Sequence, residues 1–148
     1  MDIIIIGCGK VGVALAEDLV QEDHNVTMID TSPERLQTLS EHIDAIKLVG
    51  NGASIAMQME AGVQTADILI AVTGSDEMNL LCCLIARKAG KCHTIARVRN
   101  PVYSNEINFI KQTLGISMII NPELAAAMEI SRVLRLRCAI RMDRFSRG

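Results

Sequence analysis

One short stretch near the amino terminus limits the possible folds more than any other. Ile3-Ile4-Ile5-Ile6 is an unbroken β-branched run, which suits a single strand buried on both faces. It runs straight into Gly7-Cys8-Gly9-Lys10-Val11-Gly12. A helix-period segment follows from Val13 to Val20, then a second strand, Val26-Thr27-Met28-Ile29, ending at Asp30. The glycine pattern alone is weak evidence. Set between a strand and a helix, with an acid closing the next strand, it is a strong signal for a phosphate-binding βαβ unit.

Each part of that unit has a physical task. Gly7 allows the tight turn off the strand. Gly9 has no Cβ, so a pyrophosphate can approach the backbone, and Gly12 permits close helix packing. The free N–H groups and the positive dipole end of the first helix attract phosphate. Asp30 offers acceptors to a ribose diol and repels a 2′-phosphate. The pattern therefore favours NAD(H), ATP, ADP or AMP over NADP.

The rest of the chain repeats the alternation. Thr31-Ser32-Pro33-Glu34 is a helix-start signal, and the helix it opens is expected to run to near His42. Ala45 to Val49 reads as the third strand, broken by Gly50-Asn51-Gly52. A short helix follows from about Ser54 to Ala61. Ala66 to Val72 is the fourth strand, nearly all apolar and so central. Thr73 to Glu77 caps a helix that ends at Gly90. His93 to Val98 is the fifth strand, Tyr103 to Leu114 a helix closed by Gly115, and Ile116 to Ile120 the sixth strand. Pro122-Glu123 starts a last helix to about Arg137, and Ala139 to Phe145 reads as a strand-like tail. Together these predict an α/β fold: a doubly wound parallel six-stranded sheet, Rossmann-like, in the order 3-2-1-4-5-6.

Composition fits one globular domain. Of 148 residues, 49% are hydrophobic and 22% charged, enough for a core, yet only 2% are aromatic, so that core is aliphatic and rich in Met. A net charge of −2 gives no basis for nucleic-acid binding. No apolar run reaches the length of a membrane span, and the strand at the amino terminus leaves no place for a signal peptide. Five cysteines, an odd number without C-x-x-C spacing, suit reduced cytosolic thiols.

Ligands of such a sheet lie outside the carboxyl ends of its strands. Lys10, Asp30, Thr31, Ser32, Asn51, Thr73, Ser75, Asp76, Arg97, Arg99 and Asn100 fall there. Arg97 and Arg99 alternate on their strand, so one phosphate meets only one of them, and Arg97 is the choice. Asp76 and Glu77 are expected to complement the dipole of their own helix. The three histidines, His24, His42 and His93, all fall at the amino edge, which disfavours a His-based dehydrogenase.

The layout resembles the RCK or KTN domain, the amino-terminal nucleotide-binding half of TrkA-type regulators of bacterial potassium uptake. The residues that carry the resemblance are the glycine loop, Ile29-Asp30, Gly50-Asn51-Gly52, the run Ala71 to Asn79, Ile95 to Pro101, and Asn121-Pro122-Glu123. The resemblance implies a non-enzymatic regulatory subunit that binds NAD(H) or ATP/ADP. It implies a cytoplasmic protein, peripheral to the membrane, paired into a homodimer within a tetrameric or octameric ring. That ring would dock beneath a membrane potassium-transport protein without inserting directly. It places Gly7, Cys8, Gly9, Lys10, Val11 and Gly12 around the phosphates and Asp30 and Thr31 at the ribose. Asn51 falls near the adenine, and Thr73, Ser75 and Arg97 along the phosphate or nicotinamide side. Glu123 matches a position tied to a divalent cation between subunits. The last helix, as a carboxyl-terminal crossover helix with Leu124, Met128, Val133 and Leu134, would serve subunit contact. Residues 1–137 would form the domain and 138–148 a tail towards a second one. The alternatives are the cofactor-binding half of an NAD-dependent oxidoreductase, and the sensing domain of a potassium/proton antiporter or channel.

Overall fold

A computed structural model describes residues 1–39 and 43–145, with side chains described as far as Arg135. Six parallel strands form one sheet in the order β3-β2-β1-β4-β5-β6. These are β1 (Asp2–Ile6), β2 (Asn25–Asp30), β3 (Ala45–Val49), β4 (Ile68–Ala71), β5 (His93–Arg97) and β6 (Met118–Ile120). The helices are α1 (Lys10–Gln21), α2 (Pro33–Gln37), α3 (Ile55–Glu60), α4 (Asp76–Ala89), α5 (Ile107–Leu114) and α6 (Pro122–Phe145). The order reverses between β1 and β4, where Ile6 pairs with Ala71, so the crevice opens beside the glycine loop.

The isoleucine run explains the two-sided core. Ile4 and Ile6 pack on one face with Leu69, Val63 and the Cys82-Cys83 pair. Ile3 and Ile5 pack on the other with Met28, Leu36, Leu39 and Cys8. A strand apolar at every position fits here because helices cover both faces. Cys82 and Cys83 are fully buried, and burial pushes the Cys82 thiol up to about 12 and the Cys83 thiol further up. The folded protein is therefore expected to resist alkylation at both at pH 8, read by peptide mass mapping, until it unfolds. A thiol whose folded pKa is raised favours folding fully below its unfolded value. The stability these two provide is lost as pH climbs from about 9 towards 12. Labelling of Cys82 at the rate of an unfolded control would contradict this packing.

Five expectations need correction. The helix opened by Pro33 stops at Gln37, short of the expected end near His42, which itself lies outside the described residues. The Arg35 carbonyl accepts the Thr38 hydroxyl at 2.9 Å and the Cys8 thiol at 3.3 Å, so the next helical turn is capped off by side chains. The fourth and sixth strands are shorter than expected. The segment 101–106 is a 3₁₀ turn, Pro101–Tyr103, and a loop before α5 begins. The strand-like tail is helix: α6 continues through residue 137 to Phe145. The alternation Ile140-Arg141-Met142-Asp143 imitates a strand, but Ala, Arg and Met are good helix formers, and neither Gly nor Pro interrupts them. No helix among the described residues is long and apolar enough to cross a membrane.

Candidate functional site

The carboxyl edge carries a cavity of about 730 Å³, the size of a small-molecule site. The glycine loop forms its floor. Gly7 has φ +110°, which only glycine adopts at ease, and a Cβ there would lie 2.9 Å from the Thr73 nitrogen. Gly12 sits against the loop's own start, with the position of its missing Cβ 1.9 Å from the Gly7 oxygen. Gly9 has open space above it, at the start of α1, where unpaired backbone N–H groups face the cavity.

Asp30 closes the acid end. It is 8% exposed, and both carboxylate oxygens already accept backbone N–H groups, Cys8 at 2.7 Å and Ser32 at 2.9 Å. The acid thus fastens the glycine loop to the start of α2 while its remaining lone pairs stay available to a ligand. Arg35, not singled out in the sequence, also lines the cavity, with its guanidinium 4.0 Å from Asp30.

Of the expected site residues, Gly7, Gly9, Lys10, Val11, Asp30, Thr31, Asn51, Thr73, Ser75 and Arg97 all line the one cavity. Cys8 and Gly12 do not. The Cys8 side chain is 5% exposed and points into the core, where burial first and the nearby Asp30 charge second raise its pKa. Its contribution is the backbone N–H bound to Asp30. Asn51 uses its side-chain oxygen to accept the Ala53 N–H at 2.9 Å, shaping the turn after β3. Arg97 lines the wall and pairs with Glu123 at the start of α6.

Three buried polar residues stand behind the wall, of which the sequence placed only Asp76 at this edge. Asp76 does more than complement a helix dipole. It is 7% exposed, and one oxygen accepts the N–H groups of Arg99 and Asn100 at 2.9 and 2.7 Å. Asn79, fully buried, joins Thr73 to Arg97. Gln58, also fully buried, donates to the carbonyls of Gly52 at 2.7 Å and Cys82 at 3.0 Å. The available signal was a polar residue on the apolar stripe of a helix: Asp76 and Asn79 share their face with Leu80, Cys83 and Ala86.

A doubly wound sheet, a glycine loop at its switch point and an acid at the end of the next strand define a Rossmann-type domain of the nucleotide-binding class. The chain belongs to the TrkA-N domain family, which it matches over residues 3–122. It is 38% identical over 148 residues to a Trk system potassium uptake protein TrkA homolog of Archaeoglobus fulgidus, covering 100% of this chain and 34% of that protein. It spans about a third of the length of most of the curated relatives it matches, and 60% of one from Methanothermobacter thermautotrophicus. The TrkA-N domain of the inner membrane protein ybaL from Escherichia coli superposes with a TM-score of 0.78 at 25% identity, over 89% of this chain and 95% of that one. The GsuK channel bound to NAD shares the fold, with a TM-score of 0.67 at 21% identity over 80% of this chain and 21% of that one.

Proposed function

We propose that this chain is the nucleotide-sensing domain of a regulator of potassium uptake and that it works by binding rather than catalysis. The observation that carries the reading is the cavity over the glycine loop, with Asp30 fixed at its end, in a chain of the TrkA-N family. The ligand is NAD(H) or ATP/ADP. Its phosphates lie over Gly9, Lys10 and Val11 at the positive end of α1, and its ribose lies at Asp30 and Thr31. Its adenine lies towards Asn51. Arg97 supplies a cation on the opposite wall, while His24 and His93 stand at the amino ends of their strands, away from this edge.

A single chain does not fit a divalent cation at Glu123. Its carboxylate is matched by Arg97, and the described residues hold no cluster of three or more His, Cys, Asp or Glu side chains. A cation there requires oxygen ligands from a neighbouring subunit or the nucleotide. The contact surface for that neighbour is α6, where Leu124, Met128, Val133 and Leu134 are all between 45% and 64% exposed. Pairing through it gives a homodimer, the unit of a tetrameric or octameric ring held at the cytoplasmic face by a membrane potassium-transport protein. A ligand shifts such an assembly only by its difference in affinity for the two states.

Calorimetric titration with NAD⁺, NADH, ATP, ADP and NADP⁺, beside an absorbance assay for NADH turnover and sedimentation analysis, tests this reading. Saturable binding without turnover, by a dimer or larger species, is the expected result. Turnover of NADH with a small carbonyl substrate would replace the sensor with an oxidoreductase.

A further inference from the structure

Thr73 lies in the cavity wall just beyond β4, and what it offers a ligand is decided from behind by Asn79. The orientation of the Asn79 amide is set by two backbone groups of fixed polarity. The Thr73 N–H donates to Asn79 Oδ1 at 2.8 Å, and Asn79 Nδ2 donates to the Arg97 carbonyl at 2.8 Å. The Thr73 hydroxyl is 2.7 Å from that same Oδ1, which has no proton to give, so the hydroxyl donates. The other acceptor near that proton, the Ser75 carbonyl at 3.2 Å, is also internal. Thr73 Oγ1 in turn receives the Ser75 N–H at 3.3 Å. Ser75 behaves alike: its hydroxyl donates to Glu77 at 2.9 Å and accepts the Met78 N–H at 3.2 Å.

The Thr73 hydroxyl has therefore turned its proton to the buried Asn79 and can only accept from a ligand, while the Ser75 proton is engaged by the Glu77 carboxylate. Phosphate oxygens at neutral pH are acceptors as well, and two acceptors in contact repel. The donors suited to phosphate lie across the cavity, at the start of α1. Arg97, in the same wall as Thr73, has its charge matched by Glu123.

We infer that Asn79 sets Thr73 as a hydrogen-bond acceptor, and that this arm takes a donating group, the second ribose hydroxyls or the carboxamide of a dinucleotide, in preference to the terminal phosphates of a nucleoside triphosphate. The inference rests on the nucleotide-binding reading above and narrows it to a ligand class. Asn79 acts as a positioning residue, and its effect is felt through Thr73.

Thr73→Val keeps the shape and the backbone N–H bound to Asn79 and removes only the hydroxyl. Calorimetric titration of the 148-residue chain with NAD⁺, ATP and AMP compares wild type and variant. NAD⁺ is expected to weaken about fivefold, the worth of one neutral hydrogen bond. ATP should hold its affinity or gain, and AMP, too short to reach the arm, should be unchanged. Asn79→Ala frees the Thr73 proton and should move the NAD⁺ to ATP preference the same way, a shift that loss of packing alone would not produce. An unchanged NAD⁺ to ATP ratio in Thr73→Val, with AMP still bound, overturns this inference and leaves the sensor reading intact. A wild-type chain that binds none of the three overturns both.

Discussion

Alanine at position 12 should collapse the glycine loop, while alanine at position 9 should leave the fold standing and remove the ligand. A Cβ on Gly12 would sit 1.9 Å from the Gly7 carbonyl oxygen and 3.1 Å from its carbon. Both are backbone atoms, so no side-chain rotation relieves the clash. The loss should reach or exceed the upper end of ordinary overpacking, about 3 kcal/mol. Denaturant unfolding measures it directly, and a Gly12→Ala variant as stable as wild type would contradict the loop geometry. Gly9 has nothing within 4 Å of the same position and an extended backbone that any residue adopts. Gly9→Ala should change stability by less than about 1 kcal/mol. Its methyl group would occupy the space in which a phosphate meets the first N–H groups of α1, and affinity should fall tenfold or more. Wild-type affinity in that variant would mean that the phosphates lie elsewhere.

Asp30→Ala should injure both fold and binding. The carboxylate holds two backbone N–H groups, those of Cys8 and Ser32, in a place that water barely reaches. Leaving two donors without an acceptor costs about 2–4 kcal/mol. Nucleotide affinity should fall at least tenfold as well, since the loop that meets the phosphates loses its tie to β2. Thermal melts with and without nucleotide separate the two effects. A folded variant that keeps wild-type affinity would remove Asp30 from the site.

The sequence made most of this architecture legible because its signals were local and redundant. Ile3 to Gly12 carries its own strand, turn and helix start. Ser32 and Ser75 each cap a helix with the expected side-chain bond, and Ser54 does the same for α3. Two failures have different causes. The end of α2 was lost because it depends on the Arg35 carbonyl meeting Cys8, a contact across 27 residues that no local pattern records. The tail was misread because the short alternation Ile140-Arg141-Met142-Asp143 looks the same in a strand and in a helix whose faces are not yet assigned. At the site, residues at the ends of strands could be placed from topology alone. Arg35, Asn79 and Gln58 could not, because their importance lies in which groups they reach after the chain has folded. Cys8 and Gly12 were rightly part of the loop's pattern, yet they serve the loop from within.

The two sides of the crevice are stitched separately. On one, Asp30 binds the glycine loop to the start of α2. On the other, Asn79 and Asp76 bind the loop after β4, the end of β5 and the strand's exit at Arg99 and Asn100 to α4. Each side is thus tied within itself, and Gln58 then bridges the two, donating to Gly52 on one and to Cys82 on the other. The crevice is a frame whose polar props are the chain's own backbone groups, so a molecule entering it meets walls built without it. Arg97 stands in that frame and also reaches Glu123, so one side chain belongs both to the cavity wall and to α6 beyond it.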